Sequence, residues 1–369
     1  MRIKFLALSF LLCVATHSAR AYGPDGHQIV GAIADERLAN TPTGEKIRAL
    51  LQGFSLQKAA VIPDEIKGWD KNGVDDPGIF RYTARPLVDA QLADFWRANP
   101  PTHDRKSLIP SHHWFHYTDV PVATAQKYAD GKTGRDQWDI VHMMTYCIRV
   151  LRGEVPEDNP RKITKTIAII LLAHFVGDIH QPLHVGAEYF DEKGNPTDPD
   201  KSGSGFEDQG GNTITLRHSV AAATKFAVAY SKLHGFWDTL TVTSNLPEFP
   251  TLEKKERKIE MDAARNALVQ EMAKTEPPGW QLPSTVKLED YPEHWADEIL
   301  PIAREAHERL VFSGVRPQTD KDETFAIGAA DERKMPDGLP YHEWSAKIVH
   351  EELHKAGWRL ADLLEKALK

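Results

Sequence analysis

The chain has 369 residues, enough to bury a large core as one large domain or as two smaller ones. Its composition, 41% hydrophobic and 27% charged residues, is typical of a globular protein and excludes wholesale disorder. The formal net charge of -8 argues against a protein that binds nucleic acid through a broad basic surface. Any site for a polyanion therefore needs a local positive source, such as a bound metal ion.

The first 21 residues are typical of a secretory signal. Arg2 and Lys4 give a basic start, an apolar run follows, and Ala19-Arg20-Ala21 fits a small-x-small cleavage site. The apolar run is too short to span a bilayer comfortably, and no comparable run follows it. We therefore predict an exported chain, periplasmic or secreted, that begins at Tyr22. Because cleavage removes three basic residues and no acid, the net charge of -8 becomes -11. An uncleaved amphipathic anchor is the alternative.

Helical periodicity of the apolar residues predicts a single, mainly α-helical domain. The predicted helices span, in chain order, 26–38, 138–150, 163–176, 219–233, 252–274, 293–310 and 342–368. Little of the sequence alternates with period two, and 213–216 is a candidate short strand. Two stretches rich in Gly, Pro and Asp predict a loop at 67–105 and an exposed insertion at 188–211.

Cysteine usage excludes an intrachain disulfide in the processed chain, because Cys13 lies in the predicted signal and leaves Cys147 alone. Cys147 lies in an apolar run, which predicts a buried, inert thiol. An interchain bridge is the alternative.

The strongest chemical signal is His174-x3-Asp178-x5-His184, at the end of a very apolar segment. Residues four apart project from one helical face, so an imidazole and a carboxylate at this spacing form a ready metal chelate. Burying both without a partner is costly. Pro182 is expected to end the helix, so that His184 turns toward a second ion. A structural His–Asp ion pair is the alternative reading, and His180, on another face, is expected to be structural.

The same spacing recurs at His234-x3-Asp238. One such pair is weak evidence, because helices carry these pairs by chance. Two pairs together with His184 indicate more than one ion, and the mixture of imidazole and carboxylate favours zinc.

The expected N-terminus adds a candidate ligand group. The free α-amino group of Tyr22 titrates near neutrality, so it can lose its proton to a metal ion. The amine and carbonyl of Tyr22 can chelate one ion, with His27 as a nearby ligand. A merely solvated terminus is the alternative.

Two further segments offer a charged pair each. Asp64 and Lys67 place a carboxylate and an ammonium one helical turn apart, and His116 and Asp119 lie three residues apart. Each has a plain alternative explanation: an acid at a helix start with a surface lysine, and a partly buried aromatic cluster.

Taken together, these segments resemble the S1/P1 family of zinc-dependent, single-strand-specific nucleases. The resemblance runs through all of them in chain order, and the segment from His174 to His184 is its most specific part. A weaker similarity continues at His294-Trp295-Ala296 and at 356–364.

The resemblance implies a mainly helical fold and three zinc ions. By matching motif positions, one ion would be held by Asp64, His116, His174 and Asp178. A second would be held by Tyr22, His27 and Asp178, with Asp178 as the bridge between these two ions. The third would be held by His184, His234 and Asp238.

The same resemblance implies hydrolysis of phosphodiester bonds in single-stranded DNA and RNA to 5′-phosphorylated products, with 3′-nucleotidase activity. Zinc ions would activate water and neutralise charge on the phosphate. Lys67 would stabilise the charge that develops on phosphorus, and Asp119 would hold Lys67 or the nucleotide. Asn212 matches a family position near the nucleobase.

The sequence also departs from the family. Tyr22 stands where mature members usually begin with Trp, and the disulfides of fungal and plant members are absent, as the lone Cys147 requires. The predicted insertion follows a ligand directly and can reshape the substrate cleft. The chain has no Asn-x-Ser/Thr glycosylation sequon, which is expected of a bacterial source.

Two alternative functions stay open. A zinc phospholipase C shares this fold and metal plan but ends its last ligand pair in Glu, where this chain has Asp238. A periplasmic zinc-binding protein without catalysis is the second alternative. No membrane span and no obligate protein partner are predicted.

Overall fold

Helices account for 54% of the structure and strands for 11%, so the predicted mainly α-helical fold class is confirmed. The computed structural model describes residues 22–101, 111–217, 232–247 (without the side chains of 240–244), 251–320 and 323–369. The helices in this part of the chain are α1 (Gly23–Leu38), α2 (Pro42–Leu50), α3 (Leu56–Ala59), α4 (Ile62–Glu65), α5 (Pro86–Ala98), α6 (Ile140–Leu151), α7 (Lys165–Ile179), α8 (Pro199–Ser202), α9 (Leu233–Asn245), α10 (Lys254–Lys274), α11 (Tyr291–Glu308) and α12 (Tyr341–Ala367).

Short 3-10 helices and strands connect these elements. The 3-10 helices are Ile66–Trp69, His112–His116, Tyr128–Asp130, Pro182–His184 and Leu288–Asp290. The strands are β1 (Val120–Pro121), β2 (Gly186–Ala187), β3 (Tyr189–Phe190), β4 (Pro196–Thr197), β5 (Phe206–Glu207), β6 (Ile214–Leu216), β7 (Leu310–Asp320) and β8 (Glu323–Glu332). They form three small sheets with the orders β1-β2, β4-β3-β5 and β6-β8-β7.

Helix α7 forms the centre of the core. Every residue from Thr166 to Ile179 is buried, which fits a helix that is apolar all round. The Thr164 hydroxyl caps its start by accepting the Ile167 N–H at 3.2 Å. The helix ends at Ile179, three residues before Pro182, so the predicted helix end is confirmed. Helices α1, α6 and α12 pack around it.

Close backbone approach fixes α1 against its neighbours. A Cβ atom at Gly31 would lie 2.4 Å from the carbonyl oxygen of Leu56, and one at Gly357 would lie 2.5 Å from Cβ of Ile33. These distances are too short for any side chain, so both glycines are required for α1 to contact α3 and α12. This packing sets the position of the polar residues near the start of α1.

The predicted helices at 26–38, 138–150, 163–176, 252–274, 293–310 and 342–368 are confirmed, with ends that shift by up to three residues. The predicted helix at 219–233 lies outside the described residues except for its last two, and Leu233 begins α9. Cys147 is buried, as predicted, and burial raises the pKa of its thiol. Among the described helices, none combines the length and apolar character that crossing a membrane requires.

The prediction of a loop throughout 67–105 was wrong, because it contains the 13-residue helix α5. Pro86 occupies the first turn, where a missing N–H does no harm, and Val88, Leu92 and Phe95 are buried on one face. The prolines and glycines on either side of this segment concealed its short amphipathic pattern.

The prediction of a fully exposed insertion at 188–211 was also wrong. Tyr189 and Phe190 are buried, and their strand β3 pairs with β4 and β5. Asp208 is completely buried as well. The turn at 191–195 and the short α8 lie at the surface, so the Gly- and Pro-rich composition described the turns and not the strands between them.

The expectation of little extended structure was wrong at 310–332. Strands β7 and β8 form an antiparallel hairpin, and β6 pairs with β8 in parallel, which confirms the strand predicted at 213–216. Most β7 side chains are exposed or half-exposed on both faces. Such a strand shows no clean alternation of apolar and polar residues, which is why periodicity missed it.

Candidate metal centre

Two neighbouring clusters of buried histidines and aspartates lie where α1, α4, α7 and α9 meet. Their ligand atoms fall within 4.8 Å of one another in three groups: His27, Asp64 and His174; His116, His174 and Asp178; and His184, His234 and Asp238. The first two groups share His174, so we name them together the α7 cluster, and the third is the α9 cluster.

Asp178 is the centre of the α7 cluster. Its Oδ2 lies 3.0 Å from Nδ1 of His116 and 3.2 Å from Nε2 of His174, and its Oδ1 lies 3.3 Å from Nε2 of His27. Burial alone would raise the pKa of Asp178, but His174 and His116 hold it well below its usual range. A fully buried carboxylate among three imidazoles therefore stays ionised.

Helix α7 admits His27 only because residue 177 is glycine. A Cβ atom at Gly177 would lie 2.8 Å from Nδ1 of His27, too close for a side chain. The His27 ring stacks on His174 with centroids 3.8 Å apart. Burial lowers the pKa of His27, so its imidazole is neutral and offers a lone pair at pH 7.

Asp64 and Lys67 lie at the edge of the α7 cluster, as their one-turn spacing predicts. Lys67 Nζ donates to Asp64 Oδ1 at 2.8 Å, and Nε2 of His174 lies 3.9 Å from the same oxygen. Burial would raise the pKa of Asp64, but the Lys67 ammonium holds it well below its usual range. Both side chains are largely buried, with Lys67 the more exposed at 13%.

The α9 cluster joins the turn after α7 to the start of α9. The rings of His184 and His234 lie 4.8 Å apart, and Nε2 of His234 lies 3.6 Å from Oδ2 of Asp238. Gln181 Nε2 donates to Asp238 Oδ1 at 3.0 Å, the hydrogen bond that fixes this carboxylate. Burial raises the pKa of Asp238 to about 8, although His184 and Gln181 both act to lower it.

Backbone carbonyls orient three of the imidazoles. Nδ1 of His174, His184 and His234 lies 2.6, 2.8 and 2.7 Å from the carbonyl oxygens of Ala60, His116 and Gly210, respectively. A carbonyl accepts only from an N–H, so each ring carries a proton on Nδ1 and points its Nε2 into the cluster. This is the arrangement that metal-ligating histidines show.

The unpaired buried atoms of both clusters fit a bound metal ion. Asp178 Oδ1, both ring nitrogens of His27, and Nε2 of His184 and His234 are buried and have no hydrogen-bond partner among the described residues. Leaving such atoms unpaired is costly, so the site needs a further group. Five imidazoles and three carboxylates form a donor set that suits zinc.

Tyr22 begins the described chain and lies beside the α9 cluster. Its hydroxyl donates to the carbonyl of His180 at 2.5 Å, and its ring is completely buried. A Cβ atom at Gly23 would lie 3.3 Å from the backbone oxygen of Asp238, which places this end of the chain against α9. The role predicted for the Tyr22 amine and carbonyl stays a prediction.

His180 is structural, as expected from its helical face. Its Nδ1 donates to the Val176 carbonyl at 2.7 Å, and its Nε2 accepts from Arg359 at 3.0 Å. Burial and the Arg359 guanidinium keep the pKa of His180 well below its usual range. The Trp295 ring lies 5.5 Å from His180, so the two tail segments of the family resemblance meet behind α7.

Two predicted substrate residues lie outside both clusters. Asp119 is buried and lines a neighbouring cleft with Trp114 and Trp138, whereas Lys67 donates to Asp64. Asn212 donates through Nδ2 to the carbonyl of Gln209, in its own loop, at 2.9 Å. Their predicted roles stay predictions.

Sequence-based reasoning missed Gln181, which fixes the Asp238 carboxylate. Its position between Asp178 and His184 was the available signal, since a polar side chain inside a ligand motif is placed to support a ligand. The supporting carbonyls of Ala60 and Gly210 left no signal, because backbone groups carry no residue identity.

The chain is similar to known nucleases. A family model described as S1/P1 Nuclease matches residues 22–369. The chain is 26% identical over 251 residues to Endonuclease 1 of Arabidopsis thaliana, which covers 66% of this chain and 61% of that protein. It is 27% identical over 150 residues to Endonuclease 4 of the same plant, covering 37% and 42%. For Endonuclease 2 the identity is 22% over 251 residues, covering 65% and 62%. The chain therefore spans less than two thirds of the length of these relatives.

Proposed function

Because the chain belongs to the S1/P1 nuclease family, we propose that it is a zinc-dependent endonuclease acting on single-stranded DNA and RNA. Its products would carry 5′-phosphates, and it would also release phosphate from 3′-nucleotides. The observation that carries the proposal is Asp178, buried among three imidazoles and beside ligand atoms that have no hydrogen-bond partner in the described part of the chain. The relatives named endonucleases support the reaction class.

The two clusters would hold three zinc ions. In the α7 cluster one ion would be held by Asp64, His116, His174 and Asp178, and a second by the Tyr22 amine and carbonyl, His27 and Asp178. In the α9 cluster the third would be held by His184, His234 and Asp238. Bound zinc lowers the pKa of water and neutralises charge on a phosphate.

The side chains of the protein add orientation and charge. Asp64 holds the Lys67 ammonium at the edge of the α7 cluster, where it is placed to stabilise charge on a phosphoryl oxygen. The three aspartates carry fewer charges than three divalent ions, so the loaded site is electropositive. A chain with a formal net charge of -8 can thereby attract a phosphodiester without a basic surface.

The Tyr22 ligand requires that the chain be cut before that residue. We propose that residues 1–21 are an export signal and that the mature protein is periplasmic or secreted. Mass spectrometry of the exported protein should give Tyr22 as the first residue. A protein that keeps residue 21 would contradict the amine ligand.

The deciding assay follows cutting of single-stranded DNA by the processed protein with zinc, after chelation, and after zinc is restored. We expect zinc-restorable cutting that is lost in Asp178→Asn and strongly reduced in Lys67→Met. Asp139→Asn is the matched control, because Asp139 is buried beside His142, 3.0 Å away, outside both clusters. It should cut normally.

Failure of zinc-loaded protein to cut single-stranded DNA would reject the proposal. Hydrolysis of phosphatidylcholine by the same preparation would then indicate a phospholipase C. Zinc binding without either reaction would indicate a zinc-binding protein.

A further inference from the structure

Another group of ligand-type side chains lies outside the two clusters, between two 3-10 helices. Asp70 follows the helix Ile66–Trp69, and His112 and His113 begin the helix His112–His116. Nε2 of His113 lies 2.6 Å from Asp70 Oδ2, and Nε2 of His112 lies 3.6 Å from Asp70 Oδ1. One ligand atom from each residue lies within 4.8 Å of those from the other two.

His112 is the member that its protein neighbours do not satisfy. The residue is 2% exposed, and its Nε2 has no hydrogen-bond partner among the described residues. The 3.6 Å to Asp70 is too long for a hydrogen bond. Two ligand atoms each about 2.1 Å from a tetrahedral zinc lie roughly 3.4 Å apart. The long separation between His112 and Asp70 therefore suits an ion between them.

The surroundings of Asp70 resemble the support of a metal ligand. Trp96 Nε1 donates to Asp70 Oδ1 at 2.8 Å, and this hydrogen bond fixes the orientation of the carboxylate. Hydrogen-bond partners orient metal-ligating side chains in the same way. The His113 side chain is 40% exposed, so its ring has room to move away from the 2.6 Å contact. This exposure also leaves water access for further coordination positions and for exchange of the ion.

We propose that Asp70, His112 and His113 form an additional, exchangeable site for a divalent transition-metal ion. Two imidazoles and one carboxylate favour ions of the zinc type over magnesium or calcium, which prefer all-oxygen sites. The site opens to solvent at His113, so it binds zinc more weakly than the buried clusters do. A bound ion would tie the segment that carries Lys67 to the segment that carries His116.

The test measures zinc bound per chain in the processed, full-length protein, equilibrated at a series of buffered free-zinc concentrations up to the micromolar range. We expect the unchanged protein to bind one equivalent more than His113→Ala. Asp70→Asn should lose the same equivalent. This difference does not depend on how many ions the α7 and α9 clusters hold, or on nuclease activity.

His142→Ala is the matched control. The His142 side chain is 50% exposed and its Nδ1 lies 3.0 Å from a carboxylate oxygen of Asp139. It therefore forms an exposed histidine–aspartate pair like that of His113 and Asp70, but without a second imidazole. This variant should bind as much zinc as the unchanged protein. Circular dichroism checks that every variant folds, and the exposed His113 keeps the test open if Asp70→Asn fails to fold.

Anomalous X-ray scattering at the zinc edge gives an independent reading, with a peak expected between the two imidazoles and Asp70. Equal zinc binding by the unchanged protein and His113→Ala at every concentration would overturn the proposal. A lower melting temperature of His113→Ala with unchanged zinc binding would do so as well, since it would assign these residues a structural role alone.

Discussion

Helices α7 and α9 carry the same His-x3-Asp pair in different electrostatic surroundings. In α7, Asp178 contacts three imidazoles, and its pKa lies well below the usual range in spite of burial. In α9, burial raises the pKa of Asp238 to about 8, although His184 and the Gln181 amide oppose this shift. Both carboxylates are buried, at 0% and 7% exposure.

The His-x3-Asp spacing therefore identifies a pair of candidate ligands, but it does not determine whether the aspartate is ionised. Asp178 is ionised by its protein neighbours, whereas Asp238 needs a bound cation to stay ionised at neutral pH. An ion that enters the α9 cluster must therefore displace a proton from the carboxylate. Removal of metal should therefore change the ionisation of Asp238 more than that of Asp178.

The largest expected effect separates the two aspartates. Asp178→Asn removes the carboxylate proposed to bridge two ions, so we expect loss of two zinc equivalents and a fall in kcat/KM of more than about 10³-fold, beyond the loss of one preorganised charge-stabilising group. Asp238→Asn should lose one equivalent and about 10²-fold in kcat/KM. Metal analysis and cutting of single-stranded DNA measure both. Equal losses of zinc and of kcat/KM in the two variants would contradict the difference proposed between α7 and α9.

The next effect tests the hydrogen bond from Gln181 to Asp238. Gln181→Leu leaves this carboxylate without its amide partner, so we expect zinc affinity at the α9 cluster to fall by about 10- to 100-fold. Competition with a chromophoric chelator measures the affinity of each equivalent. Gln126→Leu is the control, because Gln126 donates to the Pro121 carbonyl instead. A loss spread over all equivalents would show that Gln181 acts through general stability.

The ligand motif in α7 could be predicted because its information is local. His174 and Asp178 share a helical face by spacing alone, and Pro182 disfavours continuation of the helix because it lacks an N–H donor. The structure places each predicted His-x3-Asp pair within one cluster, and His184 lies with the pair in α9. Which ions they hold stays a prediction of the family resemblance.

The supporting contacts could not be predicted, because they join distant parts of the chain. The Gln181–Asp238 hydrogen bond spans 57 residues, and the bond from His174 to the Ala60 carbonyl spans 114. Both depend on how α7 packs against its neighbours. The hairpin β7–β8 was missed for another reason: its half-exposed strands carry little apolar periodicity.

Removal of zinc should expose the raised pKa of Asp238 as a dependence of stability on pH. The folded pKa of about 8 exceeds the model-peptide value of 3.8, so the folded apo-protein binds a proton more tightly than the unfolded chain. This contribution is fully present below about pH 4 and is lost as pH rises through about 8. In chelated protein the free energy of unfolding should fall by about 2–5 kcal/mol across this range.

Urea unfolding of chelated protein, from about pH 5 to about pH 8, measures this slope. Asp238→Asn stays neutral and should flatten it, and added zinc should reverse it, because the metal binds the ionised carboxylate. An unchanged slope in Asp238→Asn would mean that the carboxylate is already ionised in the apo-protein. The two helices would then not differ in charge.

The smallest effect comes from His307, which lies behind the loop that supports α9. Its Nε2 lies 3.2 Å from Asp208 Oδ2; although burial opposes it, this contact raises the pKa of His307 to about 9. The stabilisation is present below about pH 6.5 and is lost as pH rises through about 9. His307→Gln should therefore cost about 1–3 kcal/mol at neutral pH and little at alkaline pH, in urea unfolding of zinc-loaded protein.

Comparing His307→Gln with and without zinc shows whether this ion pair is part of the support of the α9 cluster. Asp208 lies two residues before Gly210, whose carbonyl accepts the His234 Nδ1–H. Because Asp208 is held by the Glu188 N–H as well as by His307, we expect it to stay in place and the cost to be equal in both states. A larger cost in zinc-loaded protein would contradict this expectation. It would mean that the Asp208–His307 ion pair, as well as Asp238, is linked to metal binding at the α9 cluster.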